Sequence, residues 1–356
     1  MVIACPCVLK QMPSQPESKP MNPLLMMLAL ALPQADAPAP NKADEKAALA
    51  FAPERVATFL DQINLAWTRQ RKCGTCHTNY PYVVARPLIG KPGAEHAEVL
   101  AFFQDRARNW DKNAPRWPAE VVATAQALTL HDRLTGAKET SEPARMALDR
   151  QWKLQRPDGA WDWLKCDWPP SESDDGYGAV AALLATTAAP GYLEKTPDAV
   201  SRLDRITAYL KTVKDLPLHH RLHQVWAAHY DKRAMAQEDR DTTLDTLLKL
   251  QRPDGGWSLS SLGKWKRKDG TPNEPETAPS DGYATGLAVM VLVQSKGASD
   301  ATRKGVAWLL KEQKDSGRWF VRSLNNDKAH FITHAGTAYA VLGLHAAGAI
   351  PTTVKP

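Results

Sequence analysis

Two kinds of apolar pattern alternate along the chain. In one, apolar residues recur three and four apart with charges between them, as in Pro143 to Gln155, Asp241 to Gln251 and Ala301 to Gln313. That spacing predicts helices that bury one face. In the other, Gly176 to Ala188 (GYGAVAALLATTA), Gly282 to Gln294 (GYATGLAVMVLVQ) and Ala335 to Ala347 (AGTAYAVLGLHAA) are apolar nearly all round and rich in Gly and Ala. Such helices must be buried, and their small side chains let axes approach closely. An outer ring of amphipathic helices around an inner ring of apolar ones satisfies both patterns.

The joints between the two kinds repeat. Gln155-Arg-Pro-Asp-Gly159-Ala-Trp161, Gln251-Arg-Pro-Asp-Gly255-Gly-Trp257 and Gln313-Lys-Asp-Ser-Gly317-Arg-Trp319 are all Q-x-x-x-G-x-W. Proline disfavours helical geometry in the residue before it, and glycine accepts the left-handed turn that follows, so each joint ends its helix and folds the tryptophan back onto it. Gln155 to Gln251 spans 96 residues and Gln251 to Gln313 only 62. The longer interval therefore hides a degenerate pair, Leu203 to Val213 with His219 to Tyr230. Upstream, Val56 to Gln70 with Pro81 to Ile89, and Glu95 to Trp110 with Ala119 to His131, supply two more. Six pairs close an all-α, (α/α)6 toroid.

The Q-x-x-x-G-x-W pattern resembles the QW motif of squalene-hopene cyclases and their relatives in the terpene-cyclase and prenyltransferase superfamily. The resemblance covers residues 143 to 350 directly, and it implies one toroid where the family's cyclases carry two.

Composition adds an ordinary folded chain, 43% hydrophobic and 24% charged. The net charge of +6 comes from basic residues interleaved with acids rather than blocked, which argues against nucleic-acid binding. The apolar run Leu24 to Leu32 followed by Ala35-Asp36-Ala37 reads as a signal peptide, too short to be a transmembrane anchor. Residues 1–37 are then a leader, with Met21 as a second plausible start, 38–47 a polar linker, and 48–350 one toroid domain. That reading places the mature protein outside the cytoplasm, periplasmic or extracellular. Beyond the leader remain Cys73, Cys76 and Cys166, an odd number that cannot all pair with one another.

Gln70-Arg-Lys-Cys73-Gly74-Thr-Cys76-His77 keeps the Gln and Gly of the repeat but puts Cys76 where tryptophan belongs. The same residues spell C-x-x-C-H, the attachment signature of c-type haem: two thiols add to the porphyrin vinyl groups and the adjacent histidine binds iron. With 5 Cys and 10 His in the chain, chance supplies on the order of 0.002 such matches. Two other readings stand beside it, a Cys73–Cys76 disulfide and a zinc site completed by His77 and an unidentified fourth ligand.

Glu172-Ser-Asp174-Asp175 resembles the D-x-D-D acid motif of squalene-hopene cyclases, with Glu172 in place of the first aspartate. The resemblance implies Asp174 as the acid that protonates a polyene, with Asp175 beside it. Against this, Asp175-Gly-Tyr177 recurs as Asp281-Gly-Tyr283, and an acidic side chain there is what a helix N-cap requires. The inner helices also offer few aromatics to steady a carbocation beyond Tyr177, Trp226, Tyr230, Tyr283 and Tyr339. The zinc ligands of protein prenyltransferases find no matching set, Asp281 being followed by no cysteine.

Histidines cluster at His219, His220 and His223 and at His330 with His334. Pairs four apart share a helical face and suit a metal or haem iron. Three functions follow as expectations. The first is an exported, haem-binding toroid with a redox partner, held by Cys73, Cys76 and His77 with His220 or His223 reaching iron from the other side. The second is an isoprenoid cyclase using Asp174 on a hydrophobic small molecule. The third is a non-catalytic scaffold with a Cys73–Cys76 disulfide. In every version the loops that follow outer helices emerge at one end, so these residues should ring one mouth.

Overall fold

The computed structural model describes residues 41–350 and is helical, with no strand among the described residues beyond two isolated bridges. The outer helices are α1 (Pro53–Arg71), α3 (Ala94–Asn109), α5 (Glu142–Lys153), α7 (Pro197–Thr212), α9 (Gln237–Lys249) and α11 (Asp300–Glu312). Their inner partners are α2 (Asn79–Ala85), α4 (Pro118–Leu134), α6 (Asp175–Ala188), α8 (Leu218–Tyr230), α10 (Gly282–Lys296) and α12 (Ile332–Ala346). Each inner helix packs on the next, and α12 returns to α2, so the inner ring closes. These twelve helices form the (α/α)6 toroid that the two apolar patterns predict.

Small residues set the tightest seam. A Cβ on Gly286 of α10 would meet the Tyr339 carbonyl of α12 at 2.1 Å, and one on Gly343 would meet the Gly286 carbonyl at 2.6 Å. The two backbones therefore touch where any side chain would separate them.

The repeated motif ties one outer helix to the following one. Trp161, Trp257 and Trp319 are buried, and each indole N–H donates to a carbonyl ten residues back, on Gln151, Leu247 and Leu309. Each glutamine reaches forward: Gln155 Nε2 donates to the Arg202 carbonyl on α7, and Gln251 Nε2 to the Ala301 carbonyl on α11. Gln313 closes the circle, donating to the Ala52 carbonyl and accepting from the Ala52 N–H at 2.7 Å. Gly159, Gly255 and Gly317 all have φ near +90°, where L side chains are strained.

The Gln70 segment does not form a fourth copy of this joint. Helix α1 runs past Gln70 to Arg71, and the chain turns at Lys72 instead, with φ 49°. Residues expected as linker also acquire a task. Lys46 and Ala48 pair with Asp315 and Gln313, and Glu45 binds Arg318 and the Ser316 N–H, so this strap covers the seam between the last outer helix and the first. The expected leader, 1–37, lies outside the described residues. No helix among the described residues is long and apolar enough to cross a membrane.

Candidate functional site

The connections that follow the outer helices meet at one end of the toroid. The His77 carbonyl accepts from the Ala335 N–H, the Thr78 hydroxyl lies 3.2 Å from His334 Nδ1, His77 stands 3.6 Å from Glu172, and His220 stands 3.2 Å from Asp174. Residues separated by up to 258 positions in the chain thus share one mouth. Its centre is closed by side chains, since His219, His220 and His223 are fully buried.

Below the mouth, on the ring axis, is a narrow cavity of about 30 Å³. Cys76, Tyr80, Tyr177, Trp226, Tyr339 and Leu342 are among its walls, contributed by five of the six inner helices or the turns leading into them. Of the inner-ring aromatics expected from the sequence, Tyr177, Trp226 and Tyr339 line this cavity, joined by Tyr80, and Tyr230 does not. Tyr283, expected with them, stands behind Tyr339 with the rings stacked at 4.1 Å.

The C-x-x-C-H turn is divided. Cys73 is disulfide-bonded, as is Cys166, while Cys76 is a free thiol. The Cys73–Cys76 disulfide is thereby corrected: the turn sends the two sulfurs apart. Cys73 lies beside Phe102, Arg116 and Trp117 on the outer side, and Cys76 faces the central cavity. Burial pushes the Cys76 thiol well up, with the nearby Glu172 adding to it, so it is no ready thiolate. His77 is buried with neither ring nitrogen hydrogen-bonded, and burial lowers its pKa to about 4. Of the three attachment residues only His77, with no hydrogen bond to either ring nitrogen, suits an iron ligand. A haem does not fit the turn as folded, because thioether attachment needs both sulfurs on one side and Cys73 released from its disulfide.

The histidines expected to reach iron from across the mouth are fully engaged. His220 uses Nδ1 on His219 and Nε2 on Asp174, and His223 uses Nδ1 on the His219 carbonyl and Nε2 on the Tyr339 hydroxyl at 2.6 Å. Neither has a lone pair to give a metal. No cluster of three or more His, Cys, Asp or Glu suited to a metal ion occurs among the described residues.

The acid motif splits as well. Asp174 caps α6, accepting the Tyr177 N–H at 2.9 Å, as Asp281 caps α10 through the Ala284 N–H. Burial raises the Asp174 carboxyl, but His220 and the backbone N–H groups outweigh it and hold the pKa below the usual value. Asp175 pairs with Arg156 and Lys165 outside the cavity. Within the motif the raised carboxyl is Glu172, only 4% exposed and pushed up to about 7 by burial, as Asp281 is at the head of α10. The spacing of the motif gives no sign of this, since Glu172 is covered from the turn before α2, with His77 at 3.6 Å, and by the segment at Trp168 that bridges to it.

Residues 222–329 match the squalene-hopene cyclase C-terminal domain family. The match runs from within α8 through α11 and takes in two of the three QW joints, a likeness to the squalene-hopene and terpene cyclase superfamily. No curated protein matches the chain in sequence. Among solved structures, the ent-copalyl diphosphate synthase of Streptomyces platensis shares 16% identity with a TM-score of 0.48, over 76% of this chain and 50% of that one. The chain thus spans half the length of that synthase. The type II terpene cyclase MstE of Scytonema shares 13% identity with a TM-score of 0.48, over 83% of this chain and 99% of that one. The GH76A alpha-1,6-mannanase of Salegentibacter sp. HEL1_6 shares 12% with a TM-score of 0.47, over 85% and 90%. Likeness at this level says nothing of activity.

Proposed function

We propose that this squalene-cyclase-type toroid binds an apolar, isoprenoid-like small molecule on its axis. The observation that carries the reading is the central cavity with Tyr80, Tyr177, Trp226 and Tyr339 on its walls. As folded the cavity is narrow, about 30 Å³, far below the roughly 300–1,000 Å³ of small-molecule sites, so a ligand must part its walls, and those aromatic walls favour flexible hydrocarbon chains and any cation formed on them. Nothing supports Asp174 as a polyene-protonating acid, because its pKa is lowered and it already caps α6. Titration with farnesol or geranylgeraniol should quench Trp226 fluorescence saturably. Leu342→Trp, which fills the cavity, should abolish binding while leaving the circular dichroism spectrum unchanged. Equal binding by wild type and Leu342→Trp would overturn the reading.

A second reading, covalent haem c and a redox role in an exported protein, is favoured by one observation: the imidazole that ends C-x-x-C-H is buried with neither nitrogen hydrogen-bonded. It requires that Cys73 be reduced and that the 72–78 turn rearrange. Protein made with export and haem-attachment machinery should then show a c-type absorption spectrum that survives denaturation and is lost in the Cys73→Ala, Cys76→Ala double variant. A colourless product under those conditions would remove this reading and leave the first untouched.

A further inference from the structure

Neighbouring outer helices are held together in two ways, and one seam has neither. Helix α1 packs on α3 and α3 on α5, while the QW joints tie α5 to α7, α9 to α11 and α11 to α1. After α7 the chain runs Val213-Lys-Asp-Leu-Pro217 into α8, with no Q-x-x-x-G-x-W segment to reach forward. Among the described residues α7 and α9 do not pack on each other as the other pairs do. A single 3₁₀ turn, Lys232–Ala234, stands in the seam and touches α7 and α8. What remains is a groove of about 470 Å³ on the outer side of the toroid.

Unlike the central cavity, this groove is open to a ligand as folded, its volume lying within the roughly 300–1,000 Å³ of small-molecule sites. Its floor is apolar, with Leu210, Leu216, Ala234 and Met235 buried there. Its walls carry Lys211, Arg221, Lys232 and Arg233 against one acid, Asp239. Arg233 is already committed, paired with Asp231 and acted on by Asp204 and Glu194. Lys211, Arg221 and Lys232 are exposed and form no ion pair among the described residues. Like charges along one cleft repel each other, and its low-dielectric walls focus their field into the open space, where an anion relieves the repulsion. The walls are also pre-formed, because Gln224 Nε2 donates to the Ala234 carbonyl at 2.9 Å and holds the 3₁₀ turn against α8.

We propose that the groove between α7 and α9 binds a small organic polyanion, a phosphate ester or polycarboxylate, with Lys211, Arg221 and Lys232 as its charge partners and Leu216 and Met235 against its carbon skeleton. The three cations come from separate segments: the last turn of α7, the first turn of α8 and the 3₁₀ turn before α9. A molecule with two or more anionic groups meets them together, whereas a single charge meets only part of the set. The groove shares no lining residue with the central cavity, so the inference does not depend on what the cavity holds.

The test is calorimetric titration of the full chain at low salt with pyrophosphate and, separately, citrate. At least one should bind saturably at one site, and the stronger of the two tells phosphate from carboxylate. Arg221→Glu combined with Lys232→Glu should weaken that binding about tenfold or more. Ala236→Trp, at an exposed position on the groove wall, fills the space without changing charge and should weaken it as much, with an unchanged circular dichroism spectrum. Lys91→Glu combined with Lys138→Glu makes the same charge change at exposed lysines outside the groove and should bind as wild type does. Three results would overturn the site: no saturable binding of either probe, wild-type binding by Ala236→Trp or by the groove double variant, or an equal loss in the Lys91 and Lys138 control, which would mean attraction to net charge alone.

Discussion

At the scale of single residues, environment rather than identity separates Glu172 from Asp174. Unfolded, Glu172 ionises near 4.5; folded, burial raises it to about 7. Between those values the folded chain keeps a proton that the unfolded chain has lost, so this group makes stability fall as pH rises through that window. His77, lowered from 6.5 to about 4 by burial, has the opposite slope, because the unfolded chain holds the extra proton between those values. Replacing Glu172 by Gln isolates the first effect. Relative to wild type, Glu172→Gln should gain stability from pH 4.5 to pH 7 on the order of 1 kcal/mol per pH unit, read from urea unfolding at each pH. A difference that does not change with pH would mean that this carboxyl ionises as freely as one at the surface.

At the scale of the helix and its joint, the QW turn works by close approach. A Cβ on Gly317 would stand 2.2 Å from the Arg55 carbonyl, and its φ of +94° already disfavours any L side chain. Gly348 shares the left-handed backbone, with φ +66°, but has open space around it. Gly348→Ala should therefore cost only the backbone term, about 1–2 kcal/mol, while Gly317→Ala should cost clearly more because α1 must move away from α11. Equal losses in parallel urea titrations would show that the joint tolerates separation of the two outer helices.

For the whole molecule, stability depends on closing the ring where the chain's beginning meets its end. Gln313 binds both the N–H and the carbonyl of Ala52, and the strap at residues 45–48 lies over the same seam. Gln313→Ala leaves both backbone groups without that partner, at about 1–3 kcal/mol. Hydrogen exchange should accelerate first at the Ala48 and Ala52 amides, ahead of the inner helices. Wild-type protection at those two amides would place the closure elsewhere.

The sequence by itself determined the twelve helices, their sorting into two rings and the end at which their turns converge. Those features depend on local periodicity and on turn residues such as Pro157 and Gly159, which act within a few positions of the chain. It also indicated that Asp174 and Asp281 are caps, because capping is local. Tertiary structure decided what each chemical group became. Cys73 and Cys76 are three residues apart in the sequence, yet one turn directs them into different surroundings, so their shared motif did not reveal that only Cys76 faces the cavity. His220 and His223 looked like free ligands until Asp174, 46 positions away, and Tyr339, 116 positions away, occupied their nitrogens. Glu172 acquired its raised pKa through burial among distant segments that no local pattern specifies. Local spacing encodes where helices start and which face they bury, whereas hydrogen-bond partners and desolvation arise only when distant segments close around the axis.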